Sequence, residues 1–560
     1  MDLPQRERWL IPLRCLAGFC VCAALIVFCY TEELWRGKRA WENCQRAWAA
    51  KGVDLNWTNY IPAPVPENEN VFGVPQMQQW FVGHGSTDLS KKLAYPESKA
   101  RLTIAELTIG LPTASAPRYS SSFVLQWGDP QAKEEATRLI KDALGPVVMA
   151  PAGYNLTLRR LEEIRPAQIF LQCQTAPTEK ELLRFLPKPI ANTTFPENEK
   201  IQIEPAGNGS CNVTMVAPDT AAEFLESSGQ LEPDFVIIRK ALQRRYARMD
   251  GDYTNTAMIP IPNFVTVRSV AQWLGTMAQC HLLLGQPEKA LSDLTLLRDI
   301  CRRVMEENKP MTLVSAMINV AVTGVYAATI ADGIRLRAWR EPQLAALEEQ
   351  LKPINLLPPV KQAFETDPVI LCQFLATELQ PRPVEWLSKP PWKSGIWVPR
   401  GWVYQNMVAC MNLASDSVAG MDTASETISP DKSKAAGRKF AALSSHWSPY
   451  TTIAVNFVPN YSRAFQTTAR NQTMVNEALI ACALERYHLA HGEYPESLDA
   501  LAPQFIDKIP HDVIGGRPLH YRRAGDGTFL LYSVGWNGRD DGGVGGKTDA
   551  EGDWVWPIGL

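Results

Sequence analysis

The sequence predicts an α+β multidomain protein tethered by one N-terminal transmembrane helix. Three features predict it: an uncharged apolar run over residues 15–30, helical periodicity over about 233–380, and a C-terminal helix followed by two alternating strands around a glycine turn. At 560 residues the chain exceeds the ~250–300 at which one hydrophobic core stops growing, so about two to four domains are expected.

The first element is the membrane segment. Cys15–Tyr30 (CLAGFCVCAALIVFCY) carries no charge, and Trp9–Leu13 extends it to about 22 residues interrupted only by Arg14, enough to cross ~30 Å of hydrocarbon. Arg14 lies near the end and can snorkel, while Trp9 and Tyr30 stand where interfacial aromatics are expected. The exit, CYTEELW, lacks the small-x-small pattern of a signal-peptidase site, so the helix is read as an uncleaved single-pass anchor. Arg6, Arg8 and Arg14 before it are matched by Arg36, Lys38, Arg39 and Arg46 after it. A tail inside and a body on the extracytoplasmic side is the orientation adopted.

Residues 32–56 follow as a helical stalk with Trp35, Trp41, Cys44 and Trp48 at helical spacing and Gly52 as its stop. Residues 57–235 form a mixed α/β region. Strands are expected around Leu102–Leu111 and Ser122–Trp127, and a helix from Asp129-Pro130 to about Leu144, with Asp129 as N-cap. Residues 236–380 form a helical domain. Within it 271–297 resembles one tetratricopeptide-type hairpin, with Leu274, Ala278, Ala290 and Leu294 facing across the turn Gly285-Gln286-Pro287. Met311–Ala331 is a second uncharged run, but Ser315, Asn319, Thr323, Gly324 and Thr329 dilute it. A central buried helix is expected there. Residues 381–470, with Pro381, Pro383, Pro390, Pro391 and Pro399 and the polar ASETISPDKSKAAGRK, read as a loop-rich connection.

Residues 471–560 form the last module. Val475, Ala478, Leu479, Cys482 and Leu489 mark one face of a helix from about 472 to 490, capped by Gly492. A short helix near Ser497–Leu501 and two strands, Leu519–Arg523 and Phe529–Val534, follow, and then a loop rich in glycine and carboxylates. Glu485, His488 and His491 share a helical spacing and read as solvent-facing residues.

The order ALERYHLAHGEYPESLDAL, KIPHDVIGGRPLHYR, FLLYSVGWNGRDDGG and terminal GDW resembles the globular part of the major pseudopilins of type II secretion systems. The whole chain also resembles large bacterial membrane-anchored envelope proteins with such endings. The resemblance implies the cell inner membrane as location. It also implies a calcium site in the loop, with Asp540, Asp541 and Asp549 as carboxylate ligands and Asn537 and Ser533 as neutral oxygen donors. The chain departs from the family at its start, where Gly18-Phe19 leads to Ala23 in place of a glutamate. In that bacterial setting the sequons at Asn56, Asn155, Asn192, Asn208, Asn212, Asn460 and Asn471 read as chance.

Composition narrows the function. A net charge of −3 leaves no basic stripe to neutralise phosphates, which excludes nucleic-acid binding. Eight of the twelve cysteines lie outside the apolar run, and no C-x-x-C pair occurs among them, against a zinc or thioredoxin-like site. Gly-x-Ser-x-Gly, phosphate-loop, dinucleotide and His-Glu-x-x-His patterns are absent from the sequence. The expected role is therefore non-enzymatic: binding other envelope proteins, or assembly, at a lipid bilayer. The alternative is a membrane-tethered hydrolase with its site in 57–235, where Gly83-His84-Gly85-Ser86 sets a base near a hydroxyl.

Overall fold

The computed structural model describes residues 5–82, five strand segments between 120 and 216, 221–378 except 308, and 398–556 except 459, 460 and 526. The region expected around Leu102–Leu111, the helix expected from Asp129 to Leu144 and the Gly83–Ser86 stretch lie outside the described residues.

Helix α1 runs unbroken from Gln5 to Ala49, and Gly52 beyond it takes a left-handed φ of 81°, a conformation glycine adopts at little cost. It is one of two described helices long and apolar enough to cross a membrane. After helix α2 (Pro75–Phe81) come strands β1 (Ser120–Gln126), β2 (Tyr154–Arg159), β3 (Gln168–Cys173), β4 (Ile201–Gly207) and β5 (Ser210–Val216). They form one sheet in the order β2-β3-β1-β5-β4, with β1 and β3 parallel and the other pairs antiparallel. The strand expected near Ser122 is β1.

A helical array follows: α3 (Ala221–Ser228), α4 (Glu232–Leu242), α5 (Phe264–Leu283), α6 (Pro287–Ile300), α7 (Leu313–Arg335), α8 (Glu341–Leu351) and α9 (Leu357–Glu378). Caps set several boundaries. Asn263 accepts from Thr266 N at 3.2 Å to start α5, Pro287 opens α6, and Thr312 accepts from Ser315 N at 3.2 Å to start α7. The helices α5 and α6 form the expected hairpin. Gly285 turns it with a φ of 68°, and Leu274, Ala278, Ala290 and Leu294 are all fully buried at its seam.

The second apolar run is α7, buried as expected. It packs against α5, α9 and a later helix, and its polar Asn319 and Thr323 are as buried as Ile318 and Ile330. Polar bridges hold it in register: Tyr326 donates to Gln350 Oε1 of α8 at 2.9 Å, and Gln350 donates onward to Thr295 of α6 at 2.9 Å.

Among its described residues, the stretch read as a loop-rich connection contains α10 (Arg400–Val418), α11 (Pro430–Ser444), α12 (Thr452–Phe457) and the start of a further helix. The β6–β7 ribbon (Met421–Asp422 and Thr427–Ile428) lies between α10 and α11, and a turn through Tyr450 joins α11 to α12. The reason is periodicity that the preceding prolines obscure. Val403, Met407, Cys410, Met411 and Ala414 recur at helical spacing and bury one face of α10. Helix α13 then runs from Ser462 to His491, ten residues longer than expected at its start, and ends at Gly492 with a φ of 80°.

Val475, Ala478, Leu479 and Cys482 on α13 are buried as expected, whereas Leu489 is exposed. Glu485 is a correction to the solvent-facing reading: it is buried and accepts from the Tyr494 hydroxyl. The end of the chain is a three-stranded antiparallel sheet, β8 (His520–Arg523), β9 (Phe529–Ser533) and β10 (Trp554–Val555), in the order β10-β9-β8. One hydrophobic core runs from Cys44 of α1 to Trp556, joining the helical array to the C-terminal sheet.

Candidate functional site

Two regions gather the features of interest: the point where α1 enters the body, and the C-terminal loop.

Along α1 the environment changes within one turn. Phe19, Val21, Leu25, Ile26, Val27, Phe28 and Tyr30 are all exposed, whereas from Glu33 onward a stripe at helical spacing turns inward: Leu34, Gly37, Trp41, Cys44 and Trp48. The half read as a stalk is thus docked along α10. The two helices run parallel: Gly37 abuts Gly401, and fourteen residues further along each segment Lys51, just past the end of α1, donates to Ser415 Oγ at 3.0 Å. Both glycines serve close approach, since a side chain on Gly401 would strike the backbone of Glu33 and Leu34.

At the head of this seam Glu33 accepts from the Tyr450 hydroxyl at 3.0 Å and from Arg36 at 2.9 Å. The bond to Glu33 raises the Tyr450 pKa. Asn406 of α10, fully buried, staples the Tyr450 turn in place. Its amide donates to Pro449 O at 2.7 Å and to Trp402 O at 2.8 Å, and its oxygen accepts from Ile453 N and Ala454 N at 3.0 and 3.1 Å. Every polar atom of that side chain is satisfied, which fixes the turn at low cost in buried polarity.

Two buried carboxylates organise the C-terminal sheet and its loop, Asp512 ahead of β8 and Asp553 ahead of β10. Asp512 accepts from Ser533 Oγ and Ile514 N at 2.8 Å and from Val534 N at 3.1 Å. Burial pushes its pKa up against those bonds. Asp553 accepts from Gly543 N at 2.7 Å and from Asp541 N at 3.1 Å, and so closes the loop onto β10.

The three expected ligands are not brought together. Asp540 accepts from Gly542 N at 2.9 Å and from the Tyr532 hydroxyl at 3.1 Å, bonds that hold its carboxyl below the usual range, the backbone one first. Asp541 accepts from Asn537 Nδ2 at 2.7 Å, and Asp549 pairs with Arg470 of α13. Of the neutral donors, the Ser533 hydroxyl is bound to Asp512 and the Asn537 oxygen accepts from Arg539 N at 2.9 Å. Among the described residues no three His, Cys, Asp or Glu side chains are grouped to hold a metal ion.

A cleft of about 310 Å³ opens between α8, α13 and the 506–513 segment. Its wall is cross-linked: Gln472 accepts from Leu356 N at 2.8 Å and donates to Asn476 at 3.0 Å, and Asn476 donates to His511 O at 3.0 Å. Lys352 at its rim is tied to Glu348, Glu349 and Asp507. These groups hold the wall together.

Sequence reasoning missed Asn406, Tyr450, Asp512 and Asp553. Asp512 and Asp553 do stand in quoted motifs, the Pro-x-Asp step and the terminal Gly-Asp-Trp. Asn406 and Tyr450 lie where a connection was expected and carried no signal of their own.

Comparison with protein-family models, with curated proteins and with solved structures returned no match.

Proposed function

We propose that the chain is a single-pass membrane protein whose α1 holds a rigid helical body against the bilayer surface, in a non-enzymatic role of binding or assembling other envelope proteins. The observation that supports this reading is the boundary on α1 between Tyr30 and Glu33. Ahead of it lies a large exposed apolar surface that water tolerates poorly; behind it the same helix is packed into the core. A tether continuous with the fold fixes the height and orientation of the body. A component of an assembly needs that, whereas an enzyme acting on free substrate does not. With Arg6, Arg8 and Arg14 facing the cytoplasm, the body lies on the extracytoplasmic side of the inner membrane. In this reading the helix, hairpin and glycine-rich loop of residues 471–556 form a pseudopilin-like end presented to partners.

The test is cross-linking of the full chain in native membranes with identification of the joined peptides. Reproducible cross-links from the body to other envelope proteins, lost when residues 1–31 are deleted, are expected. Absence of any such partner together with turnover of a model ester, peptide or glycoside by the purified chain would reverse the assignment in favour of a tethered hydrolase.

A further inference from the structure

Resting on the reading of α1 as a membrane span, we propose that the body makes a second contact with the same bilayer: the segment around Tyr450 lays Trp447 and Phe457 into the lipid headgroup interface.

Depth follows from helix geometry. The uncharged run ends at Tyr30, and Glu33 stands three residues further, about 4.5 Å along the axis. The polar interface on each side of the hydrocarbon is roughly 5–8 Å thick, so Glu33 lies within it. The Tyr450 hydroxyl, hydrogen-bonded to Glu33, is therefore at headgroup depth as well. Trp447 is three residues from Tyr450, within about 10 Å even for extended chain. Phe457 closes the short α12 that starts two residues after Tyr450.

The chemistry of the side chains agrees with that depth. Trp447 is 77% exposed and Phe457 57%, although the Phe457 ring lies 6.2 Å from that of Phe374 on α9. Trp35, on the next turn of α1, is 59% exposed, with the Arg39 guanidinium 5.3 Å above its ring. In the proposed contact these exposed aromatic groups, one from α1 and two from the segment around Tyr450, lie at the level where the anchor leaves the membrane. That is the position in which indole and phenyl rings partition into the interface. The surface is also rigid: Asn406 staples the turn to α10, and α10 is locked in register with α1 through Gly37 and Gly401. Those contacts fix the backbone of the segment that carries both rings.

The test places a benzophenone amino acid in the full chain, reconstituted in phosphatidylethanolamine and phosphatidylglycerol vesicles, and measures photo-adducts with phospholipid. Trp447 and Phe457 are the test positions. Phe19 reports on the span itself, and Leu489 is an exposed apolar residue about 40 Å along α13 from its start. Lipid adducts at 447 and 457 several-fold above those at 489, with strong labelling at 19, are expected. Labelling at 19 with 447 and 457 no higher than 489 would overturn the second contact and leave the span standing. No labelling at 19 would remove the span, and the second contact with it.

Discussion

Gly37 of α1 and Gly401 of α10 meet backbone to backbone: a Cβ built on Gly37 would lie 2.8 Å from the Gly401 Cα. Neither helix can yield locally, because the obstructing atoms are main chain. Gly37→Leu should therefore separate the helices and destabilise the docked half of α1 by about 1–3 kcal/mol, the usual cost of overpacking. Thermal melts in detergent and protease digestion of residues 32–56 read this directly. A Gly37→Leu protein as stable and as protected as the parent would mean that the seam is not closely packed.

Asn406 should be among the most sensitive polar positions in the body. Asn406→Ala strips partners from two backbone N–H groups and leaves the Pro449 carbonyl without its donor, with each unsatisfied buried group costing ~1–3 kcal/mol. Asn406→Asp keeps the acceptor and loses the donor, and should fall between the two. Denaturant midpoints for the three proteins in that order are expected; an alanine variant equal to the parent would refute the staple.

Asp293 supplies a pH dependence. The side chain is 4% exposed, its Oδ2 lacks a hydrogen-bond partner, and burial lifts its pKa to about 7 against the opposing charges of Arg239 and Lys289. His281, 3.6 Å away, has its own pKa lowered by burial and so offers little charge in return. Because the folded state holds this proton more tightly than the unfolded chain, stability declines as pH rises from about 4 to about 7 and then levels. Asp293→Asn removes that contribution. Its melting temperature relative to the parent should rise across the same window, and a constant difference between pH 4 and pH 8 would show that the carboxyl does not titrate there.

The C-terminal loop should be indifferent to calcium. An ion binding Asp540, Asp541 and Asp549 together would have to displace Asn537 and Arg470, while Asp553 already ties down the loop backbone. Melts of the full chain with calcium and with chelator should coincide, and Asp553→Ala should lower both equally. A calcium-dependent rise lost in Asp541→Ala or Asp549→Ala would restore the pseudopilin-like site.

Much of this architecture is written in local signals. Gly285-Gln286-Pro287 marks the hairpin turn, and Asn319 and Thr323 identify α7 as a core helix rather than a second span, because each would be costly in lipid. Helix α13 from about residue 472 is read from periodicity and its end from Gly492, whereas its first ten residues are not. What escaped depends on partners distant in sequence. Trp41, Cys44 and Trp48 are legible as an apolar stripe, but the stripe becomes a docked helix only once α10 is recognised, and five prolines ahead of α10 disguise it. Glu485 looked like part of a polar face because the Tyr494 hydroxyl that receives it lies beyond the helix end. The loop carboxylates were chosen by resemblance, which ranks residues by motif position. The buried, hydrogen-bonded pair Asp512 and Asp553 is distinguished only by three-dimensional surroundings.

The proposed membrane role turns on α1 being the anchor up to Tyr30 and part of the body from Glu33. The direct test is deletion of residues 1–31, expression in membranes and extraction with alkaline carbonate. Release of the truncated, folded body into the supernatant, with the full chain remaining in the pellet, is the predicted result. Sedimentation of the truncated chain with the membrane would contradict it, and would point to the second apolar helix, Leu313–Arg335, as a span instead of a core element.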